Sequence, residues 1–283
     1  MTTVLVTGAT GTVGRHVPGE LLPRGARVRA FVRDPGRAAG VLGDVVTGDF
    51  ADPASVRRAL DGVDRVFLCA ANHPRQAEHE RTVIDAAAEA GVRLIVKVGN
   101  QGARPGAPVA FWDANGGIEE HLERSGVPWV ILHPSSYATN LLAGAAAVRD
   151  SGRLFVPAGD ARVSFIDPRD VAAVAAVVLT EPGHDRRTYT LTGPEAVTLD
   201  EFAKHLSAAL GRTVEYVDVP GEAARAAMLE SGLPPWAADQ IVAIWGEIRR
   251  GVLSTPTDVV RVLTGREART VADFCQDHAG AFR

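Results

Sequence analysis

Short runs rich in apolar and β-branched residues alternate along the chain with stretches in which apolar residues recur every third or fourth position. The runs are Thr3-Val-Leu-Val-Thr7, Ala26-Arg-Val-Arg-Ala-Phe-Val32, Gly43–Thr47, Arg65-Val-Phe-Leu-Cys69, Val92-Arg-Leu-Ile-Val-Lys-Val98 and Trp129-Val-Ile-Leu132. Runs this short read as strands, and strands alternating with helices mean a parallel sheet with helices on both faces. Between them the spacing predicts helices over about 12–24, from Pro53 behind the cap Asp52, over about 75–90, and over about 115–125. Gly91 and Gly126 stop the last two, as glycine does in the left-handed position past a helix. Pro18 lies inside the first and should kink or shorten it. Strand and helix in alternation predict βαβ units with right-handed crossovers. The expected fold is α/β, a Rossmann doubly wound parallel sheet.

After Pro134 the regularity breaks. Short strands are expected near 153–156, 188–191 and 214–218. Thr198-Leu-Asp-Glu201 is a capping box opening a helix to about 210, and helices follow near 220–231, 234–249 and from Thr270. This half reads as a smaller mixed α/β C-terminal lobe.

The first strand runs straight into Gly8-Ala-Thr10-Gly11-Thr12-Val13-Gly14. Gly8 suits a turn with positive φ, Gly11 lets backbone approach a ligand, and Gly14 lets the helix pack on the strand. Amides at the helix start favour a pyrophosphate there. The spacing is Gly-x-x-Gly-x-x-Gly rather than Gly-x-Gly-x-x-Gly, but its place between strand and helix points to a dinucleotide. Residues 1–134 are then the nucleotide-binding domain, also receiving part of 160–195, and 135–283 mainly a substrate-binding lobe. The end of the second strand selects the cofactor. An acid there would bind the ribose 2′-hydroxyl of NAD; here Arg33 stands there, with Arg37 close behind and Asp34 one step late. Arginine suits the 2′-phosphate of NADP. Asp49-Phe50 after the third strand would lie beside the adenine, and the small Ala70-Ala71 with Asn72 after the fourth would run under the cofactor. Asp49 and Asn72 are also ordinary turn residues.

Composition adds exclusions. The chain has 283 residues, 46% hydrophobic and 23% charged, with net charge −4, which is ordinary for a globular protein. No Lys/Arg run stands out, so nucleic acid is an unexpected partner. No apolar run is long enough for a bilayer, and Met1 leads directly into the first strand without a secretory signal. Cys69 and Cys275, far apart, fit a reducing cytoplasm. No His/Cys/Asp/Glu spacing suggests a metal site.

Taken together, Val6-Thr-Gly-Ala-Thr-Gly-Thr-Val-Gly14, Val32-Arg33-Asp34, Gly48-Asp49-Phe50, Ile118-Glu119…Leu122…Ser125-Gly126-Val127, Leu132-His133-Pro134…Asn140 and Phe165-Ile-Asp-Pro-Arg-Asp-Val171 resemble the NmrA-like family, an atypical branch of the short-chain dehydrogenase/reductases. The resemblance covers nearly the whole chain. It implies NADP(H) binding, with Pro134 beside the cofactor, and a small lobe over a cleft. Members include NAD(P)H:quinone reductases and redox sensors. Ordinary members of the superfamily use a Tyr-x-x-x-Lys pair, with a serine at the end of the fifth strand. By the family pattern those positions here are Phe111 and Asn115, and Asn100-Gln101 replace the serine. His133 stands where an arginine is frequent.

No catalytic residue is therefore assigned; His133 is a candidate acid, with a structural hydrogen bond to a carbonyl as the alternative. A quinone tolerates such a site, because positioning over the nicotinamide matters more than acid catalysis. Phe111, Trp112, Tyr137 and Phe165, with Asn115 nearby, are the candidate substrate contacts, and Trp236 and Trp245 could roof them. The expected activity is NADPH-dependent reduction of a quinone-like or polyaromatic substrate. Alanine-, arginine- and glycine-heavy usage fits a high-GC bacterium, where reductases of this branch tailor aromatic polyketides and could serve a partner oxygenase. A redox sensor, or an isomerase or lyase with the nucleotide as scaffold, is the alternative. A homodimer is allowed.

Overall fold

In the computed structural model, which describes residues 1–283, one seven-stranded sheet forms the centre. Its strands are β1 (Thr3–Val6), β2 (Arg27–Val32), β3 (Asp44–Thr47), β4 (Arg65–Leu68), β5 (Leu94–Val98), β6 (Trp129–Pro134) and β8 (Arg187–Leu191). They run in the order β3-β2-β1-β4-β5-β6-β8 and every pairing is parallel. α1 (Val17–Leu21), α6 (Pro168–Thr180) and α10 (Val259–Thr264) bury one face of the sheet. The other is buried by α2 (Pro53–Leu60), α3 (Gln76–Glu89) and α4 (Ala110–Arg124).

Two helices differ from the sequence pattern. Residues 7–16 are turns, and the first α-helix starts only at Val17, with Pro18 in its first turn. Proline shortens this helix from the front, because a missing N–H costs nothing at a helix start. α4 begins at Ala110 rather than near 115, so Phe111 and Trp112 lie on its first turn.

The second lobe is built round a two-stranded parallel sheet of β7 (Arg153–Val156) and β9 (Glu215–Asp218). α5 (Ala145–Ser151), α7 (Leu199–Leu210) and α11 (Val271–Asp277) close on it over a core containing Phe165, Phe202, Phe274 and Phe282. α7 opens with the expected box: Thr198 Oγ1 accepts the Glu201 N–H and Glu201 accepts the Thr198 N–H. α8 (Gly221–Glu230) buries no residue, whereas α9 (Pro235–Arg249) lies against the first turn of α4. The strand at 187–191 belongs to the large sheet, paired with β6 from Val130↔Arg187 to Pro134↔Leu191. No helix is long and apolar enough to cross a membrane.

Candidate active site

The glycine turn sits at the C-terminal end of β1. Gly8 has φ +60°, and a Cβ on it would stand 2.6 Å from the Cys69 carbonyl oxygen at the end of β4. On Gly14 a Cβ would stand 2.2 Å from the Gly8 carbonyl oxygen. Gly14 thus packs the turn on itself rather than the helix on the strand. Thr10, Gly11 and Thr12 are exposed, Val13 is buried, and the Thr12 and Val13 N–H groups find no acceptor within the protein. Free amides in a glycine turn between a strand and a helix are what a pyrophosphate needs.

Arg33 and Arg37 are exposed on the loop after β2 and form no ion pair within the chain. Asp34, the acid that could have argued for NAD, accepts the Gly36 N–H at 2.9 Å and caps the turn Pro35–Arg37. Asp49 is similarly engaged: its Oδ1 accepts from Ala51 N–H at 2.9 Å, which leaves Oδ2 free for a ligand. Phe50 stacks on Phe31 at 5.4 Å and 7°, a flat surface beside Asp49. Ala70 is half-buried and Ala71 exposed at the end of β4.

Beyond β4, β5 and β6 the strand ends open into a cleft of about 180 Å³ lined by Asn72, Gly99, Asn100, Gln101, Phe111, Trp112, Pro134, Ser135, Ser136, Tyr137, Asn140, Ile244 and Leu253. This is the crevice where a doubly wound sheet binds its ligand. Three lining residues have buried side-chain oxygens without a partner: Asn100 Oδ1, Gln101 Oε1 and Ser135 Oγ. Unpaired buried polar atoms are costly, and an amide or hydroxyl of a bound nucleotide would pair them. No charged side chain lines the cleft. Its one titratable group, Tyr137, has its phenol pushed well above 10 by burial, with the Cys69 thiol beside it. Cys69 is itself pushed up to about 12 by burial and is no thiolate.

The structure brings Asn72, Phe111, Trp112, Pro134 and Tyr137 together as the sequence suggested and places three other candidates elsewhere. Phe165 is 3% exposed, packs on Phe202 at 5.9 Å in the second core and does not line the cleft. Asn115 lies beneath the cleft: its Nδ2 donates to the Phe111 carbonyl at 2.9 Å, and its Oδ1 accepts from Lys97 Nζ at 2.8 Å. His133 directs Nε2 at the Glu119 carboxylate, 3.0 Å away, behind the cleft wall. Its partner is a carboxylate, not the carbonyl expected.

Several participants escaped sequence reasoning. Lys97 has no exposed surface and pairs with Glu80 at 3.0 Å; Gln76 Nε2 donates to Glu80 at 2.9 Å. A buried ammonium thus stands next to Asn115, the position at which the superfamily pattern expects a lysine. Ser135, Ser136, Ile244 and Leu253 join the cleft from distant stretches with no local signature.

A parallel sheet of this order, with a glycine turn after its first strand and a cleft at the strand ends, defines a dinucleotide-binding protein of the Rossmann type. The chain belongs to the NmrA-like family, whose model matches residues 1–245. It is 38% identical over 282 residues, 99% of each chain, to the NAD(P)H azoreductase of Xenophilus azovorans. It is 40% identical, again over 99% of each, to the (4-alkanoyl-5-oxo-2,5-dihydrofuran-3-yl)methyl phosphate reductase of Streptomyces griseus. Among solved structures, the NADPH complex of the quinone oxidoreductase QOR2 from Escherichia coli superposes with a TM-score of 0.88 at 29% identity, covering 98% of this chain and 99% of that one.

Proposed function

We propose that the chain reduces flat, neutral, conjugated acceptors, quinone-like or polyaromatic, by hydride transfer from NADPH without a Tyr–Lys pair. It is an NAD(P)H-dependent oxidoreductase with NADP(H) as cofactor. The observation that carries the acceptor class is the cleft lining: aromatic and amide side chains with no carboxylate, imidazole, ammonium or guanidinium among them. Such a wall positions a ring but moves no proton readily. The names of the relatives point the same way, since an azo group, a quinone and an unsaturated furanone are all electron-poor conjugated π systems. NADPH bound here supplies a hydride, and a proton from water completes the change from quinone to hydroquinone.

In this reading the free amides of Thr12 and Val13, on the turn Gly8–Gly14, hold the pyrophosphate and Arg33 and Arg37 the 2′-phosphate. Asp49 and Phe50 take the adenine, and Ala70 and Ala71 let the cofactor lie close. Asn72, Asn100, Gln101 and Ser135 orient the nicotinamide end, with Pro134 beneath it. Phe111, Trp112 and Tyr137 flank the acceptor. No residue of the cleft speaks for an aromatic polyketide or an oxygenase partner in particular.

The test is steady-state NADPH oxidation with 1,4-benzoquinone. Turnover is expected, and Tyr137→Phe and His133→Gln should each lower kcat less than tenfold. A general acid contributes about a hundred- to ten-thousand-fold, so a loss that large in either folded variant would overturn the mechanism. Tight NADPH binding without turnover on any acceptor would favour the redox sensor.

A further inference from the structure

Four rings contact one another in succession, starting from the cleft wall. Phe111, which lines it, meets Trp236 of α9 edge to face at 5.8 Å and 82°. Trp236 meets His73 at 6.3 Å and 77°, and His73 stacks on His79 at 5.8 Å and 8°. His73 follows Asn72, itself a cleft residue. Its ring is fixed, because Nδ1 accepts the Arg75 N–H at 3.1 Å; the remaining proton of the neutral ring is therefore on Nε2. Trp236 remains 38% exposed although two rings hold it. Trp236 thus presents an oriented aromatic surface to solvent in direct contact with a ring of the cleft wall. The cleft also sets a limit. It measures about 180 Å³ and in the proposed reading receives the nicotinamide as well as the reacting ring, so further rings of an acceptor lie outside it.

We propose that Trp236 and His73 form an outer ring-binding subsite for acceptors with more than one ring: the reacting ring enters the cleft and the distal aromatic ring stacks on Trp236. This rests on the cleft being the hydride-transfer site. The hairpin of α8 and α9 supplies the tryptophan, and the Phe111 N–H, donating to Gln240 Oε1 at 3.2 Å, keeps α9 in register with α4.

The test compares 9,10-phenanthrenequinone, with three fused rings, and 1,4-benzoquinone, with one. Trp236→Ala should lower the ratio of their kcat/KM values about three- to tenfold, as loss of a stacking contact does, with the change in KM for the larger quinone. Trp236→Phe should restore most of it. Calorimetric binding of phenanthrenequinone to the NADP⁺-loaded protein should weaken by the same factor in Trp236→Ala, and this arm needs no turnover. If the wild type reduces neither quinone yet this binding difference appears, the subsite stands and the proposed activity falls. An unchanged ratio with unchanged binding, or equal losses on both quinones, overturns the subsite.

Discussion

Lys97 carries its ammonium group where no water reaches it, held by Glu80, Asn115 Oδ1 and the Val98 carbonyl. Removing one member of such a pair strands the other charge, at a cost of about 3–5 kcal/mol. Lys97→Met should lose that much stability in urea unfolding, and Lys97→Met/Glu80→Met should recover at least about 1 kcal/mol of it through coupling. Simple additivity would mean that the two charges do not depend on each other. Arg33 is the opposite kind of residue, a free guanidinium. Arg33→Ala should weaken NADPH binding about ten- to hundredfold, the worth of a charge-assisted bond to phosphate, and leave NADH nearly untouched. Equal affinities of the wild type for both cofactors would remove the basis for the assignment. Arg33 was legible because its meaning is positional, one step past a strand. Lys97 was not, since a lysine inside an apolar run declares no partner, and Glu80 lies on a different element.

At the scale of the element, the glycine turn separates two kinds of requirement. A Cβ on Gly11 would meet only the Gly8 carbonyl oxygen, at 3.1 Å, whereas one on Gly14 meets it at 2.2 Å. Gly11→Val should therefore fold with near-native helicity and fail to bind nucleotide in calorimetry. Gly14→Val should lose stability as well, because backbone must move from backbone. If the two variants behave alike, the turn is more plastic than its contacts imply. The same contrast shows what local patterns convey. Strands with apolar flanks, the Asp52 and Thr198 caps and the glycine stops declare themselves within a few residues. α4 begins without any side-chain cap at Val109, so its first turn, with the two aromatic residues that matter most to the cleft, was invisible to capping rules. Phe165 read as a candidate substrate contact because it is a flat aromatic side chain; three-dimensional packing sends it to the second core.

The whole molecule is tied together where α6 begins. Asp167 caps that helix through the Arg169 N–H at 2.8 Å and pairs with the Arg169 side chain at 2.7 Å, while Arg169 also holds Asp277 of α11. Burial works to raise the Asp167 carboxyl, but the bonds from Arg169 outweigh it and hold the group below its ordinary 3.8. A depressed carboxyl contributes stability above the unfolded value and loses it as pH falls through the folded one. Asp170 has the opposite sign: burial, against its pairing with Arg269, leaves it raised. Asp167→Asn keeps a capping side chain and loses the charge. The wild type should exceed it by about 1–3 kcal/mol at neutral pH, with the gap closing below about pH 4. Urea titrations at several pH values measure this, and a gap that persists in acid would assign the effect to packing.

One consequence of the strand order concerns how such a protein can be rebuilt. The chain leaves the large sheet after β6, returns as α6 and β8, departs again for α7 to α9, and comes back with α10 before ending in the second lobe. The two lobes are interleaved, so no single cut separates them. A chimera that borrows a relative's second lobe must transplant three separate stretches in concert, about 135–165, 194–256 and 269–283, and still leaves the α4 side of the cleft as it was. Changing Phe111 and Trp112 on α4 or Ile244 on α9 alters the cleft lining without moving any stretch of chain between the lobes.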